Sequence, residues 1–372
     1  MTWFPLSGFW KATIDSRQGL VIVPSEVLPP DISIGMQPTN LNVVHHNTKQ
    51  VASNTQRKDV ANSHAPRSND HELLALCEQL GLAKADRLEF FHPRTRDRDD
   101  ISAWRDPDSE IILLSSCNHI DDAHYAEQEL GAYWRSDDLA AARATCFEDD
   151  ERRATLAASM LRSLGRTGSW LDVGTGAGGF LHGLHERLSD EHVVQAIEPQ
   201  VAARKALQDE GWQVAAHFHE CADASVDYLS AWHVLEHIQN PLSFLQECWR
   251  ILRPNGTICI EVPHARDALL AHYESEAFCD FTLWSEHLLL HTQHSLRVFA
   301  EAAGFQVKEI RGIQRYPLAN HLHWLSQGKP GGHMAWEMLN DSNLDEAYTD
   351  VLRSNDWTDT LVLIAERAEP SR

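Results

Sequence analysis

The chain has 372 residues, room for one large domain with attachments or for two domains. Its 32 basic and 54 acidic residues leave a formal charge of −22, which argues against a broad phosphate-tracking surface and so against a nucleic-acid partner. No apolar run is long enough to span a bilayer, the opening residues lack the basic and continuous apolar regions of a secretory signal, and the seven scattered cysteines contain no C-x-x-C pair; the expectation is a cytoplasmic protein with free thiols.

Residues 1–70 are rich in Asn, Ser, Thr, Gln, Pro and His with isolated apolar residues, and read as a disordered extension, with short strand-like patches such as Gly19 to Val23. Order is expected from His71. Leu73, Leu76 and Leu80 stand at helical spacing before Gly81, and strand-like runs follow at 87–91 and 111–115. Between those runs, Arg94, Arg96 and Arg98 alternate along the chain. They could clamp an anionic group, or they could be neutralised by the acids around them. Residues 121–134 read as a helix ending in Tyr133-Trp134, and 137–164 as a long amphipathic helix. Residues 71–135 are therefore expected to form a small N-terminal region, or lid, beside the main domain at 136–368.

The main domain opens on Trp170-Leu171-Asp172-Val173-Gly174-Thr175-Gly176-Ala177-Gly178-Gly179-Phe180. A short apolar run, alternating glycines and an amphipathic segment give strand, tight turn and helix. Glycines let the main chain turn through angles closed to other residues and approach a ligand, and the helix N-terminus favours an anionic group. Gly174, Gly176 and Gly179 satisfy the dinucleotide pattern G-x-G-x-x-G. Gly174, Gly176 and Gly178 with Asp172 upstream resemble instead the first motif of class I S-adenosylmethionine-dependent methyltransferases. The next strand, 192–197, ends at Glu198, and an acid at that tip can accept hydrogen bonds from both ribose hydroxyls. Both templates share that feature.

The stretch that separates them follows. A strand at 225–232 leads into His233-Val234-Leu235-Glu236-His237-Ile238, then Asn240-Pro241, a helix, Leu252-Arg253-Pro254-Asn255-Gly256, and an apolar strand. This run resembles the region after the fourth strand of class I methyltransferases, in particular the group acting on small metabolites and sugars. The resemblance continues through Glu286-His287, Ser295-Leu296 and Ala303-Gly304-Phe305, with a last strand at 358–366 and an insertion-like segment at 316–355. It implies a Rossmann-like α/β fold with a seven-stranded sheet, six strands parallel and the last antiparallel, and helices on both faces.

The same resemblance implies S-adenosylmethionine as cofactor, held by Asp172, Gly174, Thr175, Gly176, Gly178, Glu198, Trp232 and His233. Methyl transfer to a hydroxyl needs donor and acceptor in line and a destination for the proton, and histidine suits that role near neutral pH. The candidates are His233 and His237 after the fourth strand and Glu286, His287 and His291 further on, with His287 preferred as the base and Glu286 and His237 beside it. His287 and His291 also stand at i and i+4, which on a helix would suit a metal, but a chain with 22 histidines produces such pairs by chance, and no metal is assigned. Trp232, Tyr133, Trp134 and Trp284 could wall the sulfonium, since aromatic faces attract cations. The acceptor is expected to be a small molecule, with the arginine run favouring a nucleotide-linked or surface-polysaccharide sugar. A phenolic or quinone-like metabolite is the alternative, as is a cofactor-binding protein without catalysis. The oligomeric state is not legible.

Overall fold

The computed structural model describes residues 10–15, 19–24, 65–120, 122–127, 138–165, 167–188 and 192–368. The chain divides into two units, Met1–Asn54 and Thr55–Arg372. In the first, strands β1 (Trp10–Asp15) and β2 (Gly19–Pro24) pair antiparallel. Most of the expected extension, and the expected aromatic pair Tyr133-Trp134, fall outside the described residues.

The second unit begins with helix α1 (Glu72–Gln79), whose first turn is capped by His71 Nδ1 accepting from the Leu74 amide at 3.2 Å. Leu73, Leu74, Leu76 and Cys77 form its buried face. Strands β3 (Glu89–His92), β4 (Ala103–Arg105) and β5 (Ile112–Leu114) then form an antiparallel meander. The sequence expectation lacked β4, which is only three residues long and carries no alternation of its own. Helix α2 (Asp122–Glu127) precedes the 25-residue helix α3 (Leu139–Ser163), started by Asp138 accepting from the Ala140 amide.

From there strands and helices alternate: β6 (Ser169–Val173), α4 (Gly179–Glu186), β7 (Val193–Ile197), α5 (Val201–Asp209), β8 (Gln213–Ala215), β9 (Val226–Trp232), α6 (Pro241–Ile251) and β10 (Leu252–Pro263). Strand β8 is only three residues long, and a single turn of 3₁₀ helix follows at Phe218–Glu220. After α7 (Glu276–Thr282), the two-residue strand β11 (Leu289–Leu290) pairs antiparallel with β5 and becomes the fourth strand of the small sheet. Helix α8 (Gln293–Ala302) starts at Thr292 and stops at Gly304, as its sequence indicates, and runs into β12 (Phe305–Ile313). The insertion-like segment folds as helices α9 (Leu318–Gln327), α10 (Gly332–Ala335) and α11 (Ser342–Ser354) before β13 (Thr360–Arg367).

The large sheet has the order β12-β13-β10-β9-β6-β7-β8. Strands β8, β7, β6, β9 and β10 run parallel, and β13 lies antiparallel between β10 and β12. This is the expected Rossmann-like methyltransferase sheet, with strand order reversing between β6 and β9, where such folds bind ligands. Successive residues of β6 serve opposite layers: Leu171 and Val173 join one apolar core and Trp170 the other. The Arg253-Pro254-Asn255-Gly256 turn makes a bulge at the start of β10. A Cβ on Gly256 would stand 2.8 Å from the Arg253 carbonyl and 3.0 Å from that of Asp227, so only glycine lets these backbones meet.

Candidate active site

A cavity of about 1000 Å³ opens over the carboxyl ends of β6, β7 and β9. Its floor is the glycine loop. Gly174 has φ +70°, and a Cβ there would come within 2.6 Å of Val234 Cγ2, so the loop's path depends on the missing side chain. Gly174, Thr175 and Gly176 line the cavity. Asp172 and Gly178 do not; they stand beneath and behind the loop. Trp170 Nε1 donates to Ser230 Oγ at 2.8 Å, and Ser230 Oγ donates to Asp172 Oδ1 at 2.5 Å. Burial pushes the Asp172 carboxyl up to about 7, against the pull of that hydroxyl.

Glu198, at the tip of β7, lines the same cavity. Its Oε2 accepts from the Gly176 amide at 2.7 Å and its Oε1 from the Gln200 amide at 2.9 Å. Burial raises its pKa and the two amides oppose the rise. Trp232 and His233 complete the expected donor-side set, and Trp232 sits against Phe180 with ring centroids 5.3 Å apart.

Helix α3 brings a charged wall that the sequence reading missed. Asp149, Asp150 and Arg153 line the cavity, as does Arg315 from the segment after β12. Arg153 Nη2 donates to Glu261 Oε1 at 2.6 Å, and Arg152 Nη2 approaches Glu261 Oε2 at 2.8 Å. Glu261 is fully buried on β10; desolvation opposes its charge, but hydrogen bonding from His233 and the two arginines hold it well below the carboxylate range. His233 takes a left-handed conformation, φ +55°, placing Nδ1 3.1 Å from Glu236 Oε1 and Nε2 3.4 Å from Glu261 Oε1. Burial works against its charge, and the two carboxylates outweigh burial, raising its pKa. Asp150, 3.3 Å from Arg153 Nη1, is pushed up to about 6 by burial despite that arginine. The only sequence signal for this wall is the run Glu148-Asp149-Asp150-Glu151-Arg152-Arg153 ahead of the first strand; Arg315 has none.

At the opposite end, His237 and Tyr125 line the cavity, with the Tyr125 hydroxyl 3.2 Å from His237 Nδ1. Glu286 and His287 stand behind His237. The His287 ring packs edge-on to His237 with centroids 5.0 Å apart, and Glu286 Oε1 lies 2.9 Å from His124 Nε2. Burial, and then the neighbouring His237, push His287 down to about 3; burial lowers His237 as well. Trp284 packs on both histidines.

The structure decides two alternatives that the sequence left open. His287 and His291 are not on a helix: the His287 amide closes a turn onto the Trp284 carbonyl, the chain then extends through β11, and His291 is buried against Ser295. The arginine run does not reach the cavity. Arg94 pairs with Asp280 at 3.1 Å, Arg98 with Asp100 at 2.6 Å, and the Arg96 guanidinium lies 4.3 Å from the centre of the Trp284 ring. Local carboxylates and one aromatic face use these charges up.

Residues 132–310, just under half of the chain, match the family described as a methyltransferase domain. The chain is 32% identical over 129 residues to a demethylmenaquinone methyltransferase of Roseiflexus castenholzii, covering 32% of this chain and 52% of that protein. The chain spans about half the length of that curated relative. A solved S-adenosylmethionine-dependent methyltransferase of Archaeoglobus fulgidus has 17% identity and a TM-score of 0.37, covering 57% of this chain and 94% of that one. The matched stretch, 132–310, spans β6 to β11 and most of β12, and so covers the glycine loop and the cavity floor.

Proposed function

We propose that this chain, built around that domain, transfers the methyl group of S-adenosylmethionine to a hydroxyl of a small molecule held at the Tyr125–His237 end of the cavity. The observation carrying the reading is that the glycine loop, Glu198 and His237 all line one cavity. Glu198 accepts hydrogen bonds from the ribose hydroxyls, exchanging loop amides for sugar. The methionine end, a zwitterion, meets Asp149 and Asp150 with its ammonium and Arg153 and Arg315 with its carboxylate. Asp172 and Gly178 support the loop from below. Trp232 offers an aromatic wall to the sulfonium.

The transfer itself is a displacement in which the acceptor oxygen bonds to the methyl carbon as the carbon–sulfur bond breaks. The sulfur keeps the electron pair and leaves as a neutral thioether, and the hydroxyl proton departs toward the His237 end. His237 reaches the cavity; His287 and Glu286 act through it.

For the acceptor, a phenolic or quinone-like molecule fits better than a sugar phosphate. The arginines that would have favoured an anionic sugar are engaged elsewhere, while Ile120, Val234, Ile238 and Phe244 give the cavity an apolar wall. An uncharged sugar hydroxyl is the second reading.

A melting experiment tests the cofactor. S-adenosylhomocysteine at a hundred times its Kd should stabilise the protein by about 2.7 kcal/mol, and NADH should leave it unchanged. Stabilisation by NADH alone would defeat the assignment. Formation of S-adenosylhomocysteine with a panel of phenols, hydroquinones and sugars then identifies the acceptor class, and binding without turnover on any of them would favour a non-catalytic role.

A further inference from the structure

Behind His237, three buried polar atoms have no hydrogen-bond partner among the described residues: Glu236 Oε2, His237 Nε2 and His287 Nδ1. Their residues come from two distant stretches of chain, the 3₁₀ turn Leu235–His237 and the turn before β11. One ligand atom from each of the three lies within 4.8 Å of the other two. Leaving one such atom unsatisfied costs about 1–3 kcal/mol, so three together call for an occupant. All three atoms can present lone pairs. A hydrogen-bond donor group would satisfy them, and none stands there among the described residues.

We propose that Glu236, His237 and His287 bind a first-row divalent cation such as Zn²⁺ or Mn²⁺ at the acceptor end of the cavity. Two imidazoles and one carboxylate are a donor set that such ions accept while keeping positions open for other ligands. The surrounding groups suit this role. Tyr125 and Glu286 stand 3.2 and 3.9 Å from His237 Nδ1, so an Nδ1–H directed at them leaves the lone pair on Nε2 for the metal. Glu286 is in turn held by His124, and the second oxygen of Glu236 lies 3.1 Å from His233 Nδ1. Metal–ligand bonds of about 2.0–2.2 Å bring donor atoms to within roughly 3–4 Å of one another, so the three side chains close in by up to about an ångström on loading. The charges also agree: the cation faces the Glu236 carboxylate, while Glu286 stands on the Nδ1 side of His237.

The catalytic consequence rests on the methyltransferase reading, and the binding does not. In that reading the ion fixes the ring of His237 against the acceptor, and the acceptor hydroxyl gives its proton to solvent while the methyl group moves from sulfur to oxygen. His237, which lines the cavity, is the ligand that connects the ion to the substrate.

The test uses the full, tag-free chain stripped with EDTA. Calorimetry with ZnCl₂ and MnCl₂, and metal analysis after gel filtration, should give one equivalent per chain for at least one ion. Co²⁺ loading should give visible absorption bands of mixed nitrogen and oxygen ligation. Glu236→Gln, which keeps the side-chain shape, and His287→Ala should each lower retained metal at least tenfold while S-adenosylhomocysteine still raises the Tm. No stoichiometric metal in the parent chain, or equal metal in both variants, would overturn the site and leave an ordered water among the three atoms. Metal binding without any response to S-adenosylhomocysteine would instead leave the site standing and remove the methyltransferase reading.

Discussion

At the scale of single residues, Glu198 and Asp150 carry the donor side by different physics. Glu198 is already committed to two loop amides before any ligand arrives. Ribose hydroxyls that replace or join these bonds make charge-assisted contacts worth roughly 1.5–3 kcal/mol. Glu198→Ala should weaken S-adenosylhomocysteine binding by about ten- to a hundredfold in calorimetry, and a change under twofold would remove Glu198 from the ribose site. Glu198→Gln keeps an acceptor for one of the two loop amides and sets a donor against the other, so the Tm of each ligand-free variant separates lost loop order from lost ribose contact.

Asp150 has a free-state pKa pushed up to about 6 by burial, against the attraction of Arg153 and with added repulsion from Asp149 and Glu261. A ligand ammonium beside it favours the ionised form, so the pKa falls on binding. Affinity for S-adenosylhomocysteine should therefore rise with pH up to about 6 and level off above it, with a proton released on binding below that point. Asp150→Asn should flatten that part of the profile. A profile already flat between pH 5 and 7 in the parent protein would place the ammonium elsewhere.

At the scale of elements, helix α3 does more than cover the sheet. Its apolar side, with Ala154, Ala157, Ala158 and Leu161, packs in the same core as Phe180, Leu181 and Leu184 of α4. Just ahead of them, Arg152 and Arg153 tie the helix to Glu261 near the carboxyl end of β10. Glu261 has no exposed surface, so removing its main partner leaves a buried charge incompletely neutralised. Arg153→Met should cost about 3 kcal/mol in urea unfolding, near the low end for a broken buried pair because Arg152 remains. A loss under about 1 kcal/mol would show that Arg152 and His233 satisfy Glu261 alone. The β6–α4 turn is the opposite kind of element: its shape follows from local glycines, and its motif already names it in the sequence.

At the scale of the whole molecule, residues 71–120 share their small sheet with Leu289–Leu290, and their apolar residues join the same core as β9, β10 and β13. The alternation of strands and helices, the glycine turn, the acid at the tip of β7, the Leu235-Glu236-His237 run and the helix stops at Gly81 and Gly304 were all legible in the sequence. Each is a local matter of periodicity, backbone angle or capping. The pairing of β11 with β5 was not legible, because a two-residue strand has no period and its partner lies far away in the chain. Nor was the charged wall: Asp149, Asp150 and Arg153 look like an ordinary solvated helix face until Glu261 and Arg315 arrive from elsewhere. The histidines show the division most plainly. Spacing suggested His287 with His291, whereas the fold sends His291 into the core and sets His287 beside Glu236 and His237. Sequence by itself determined the longer elements and the donor loop, whose causes act over a few residues, but not the short strands β4 and β11. Which side chains share a site was decided only by tertiary structure, since that depends on strand order and on turns that bring distant residues within a few ångströms.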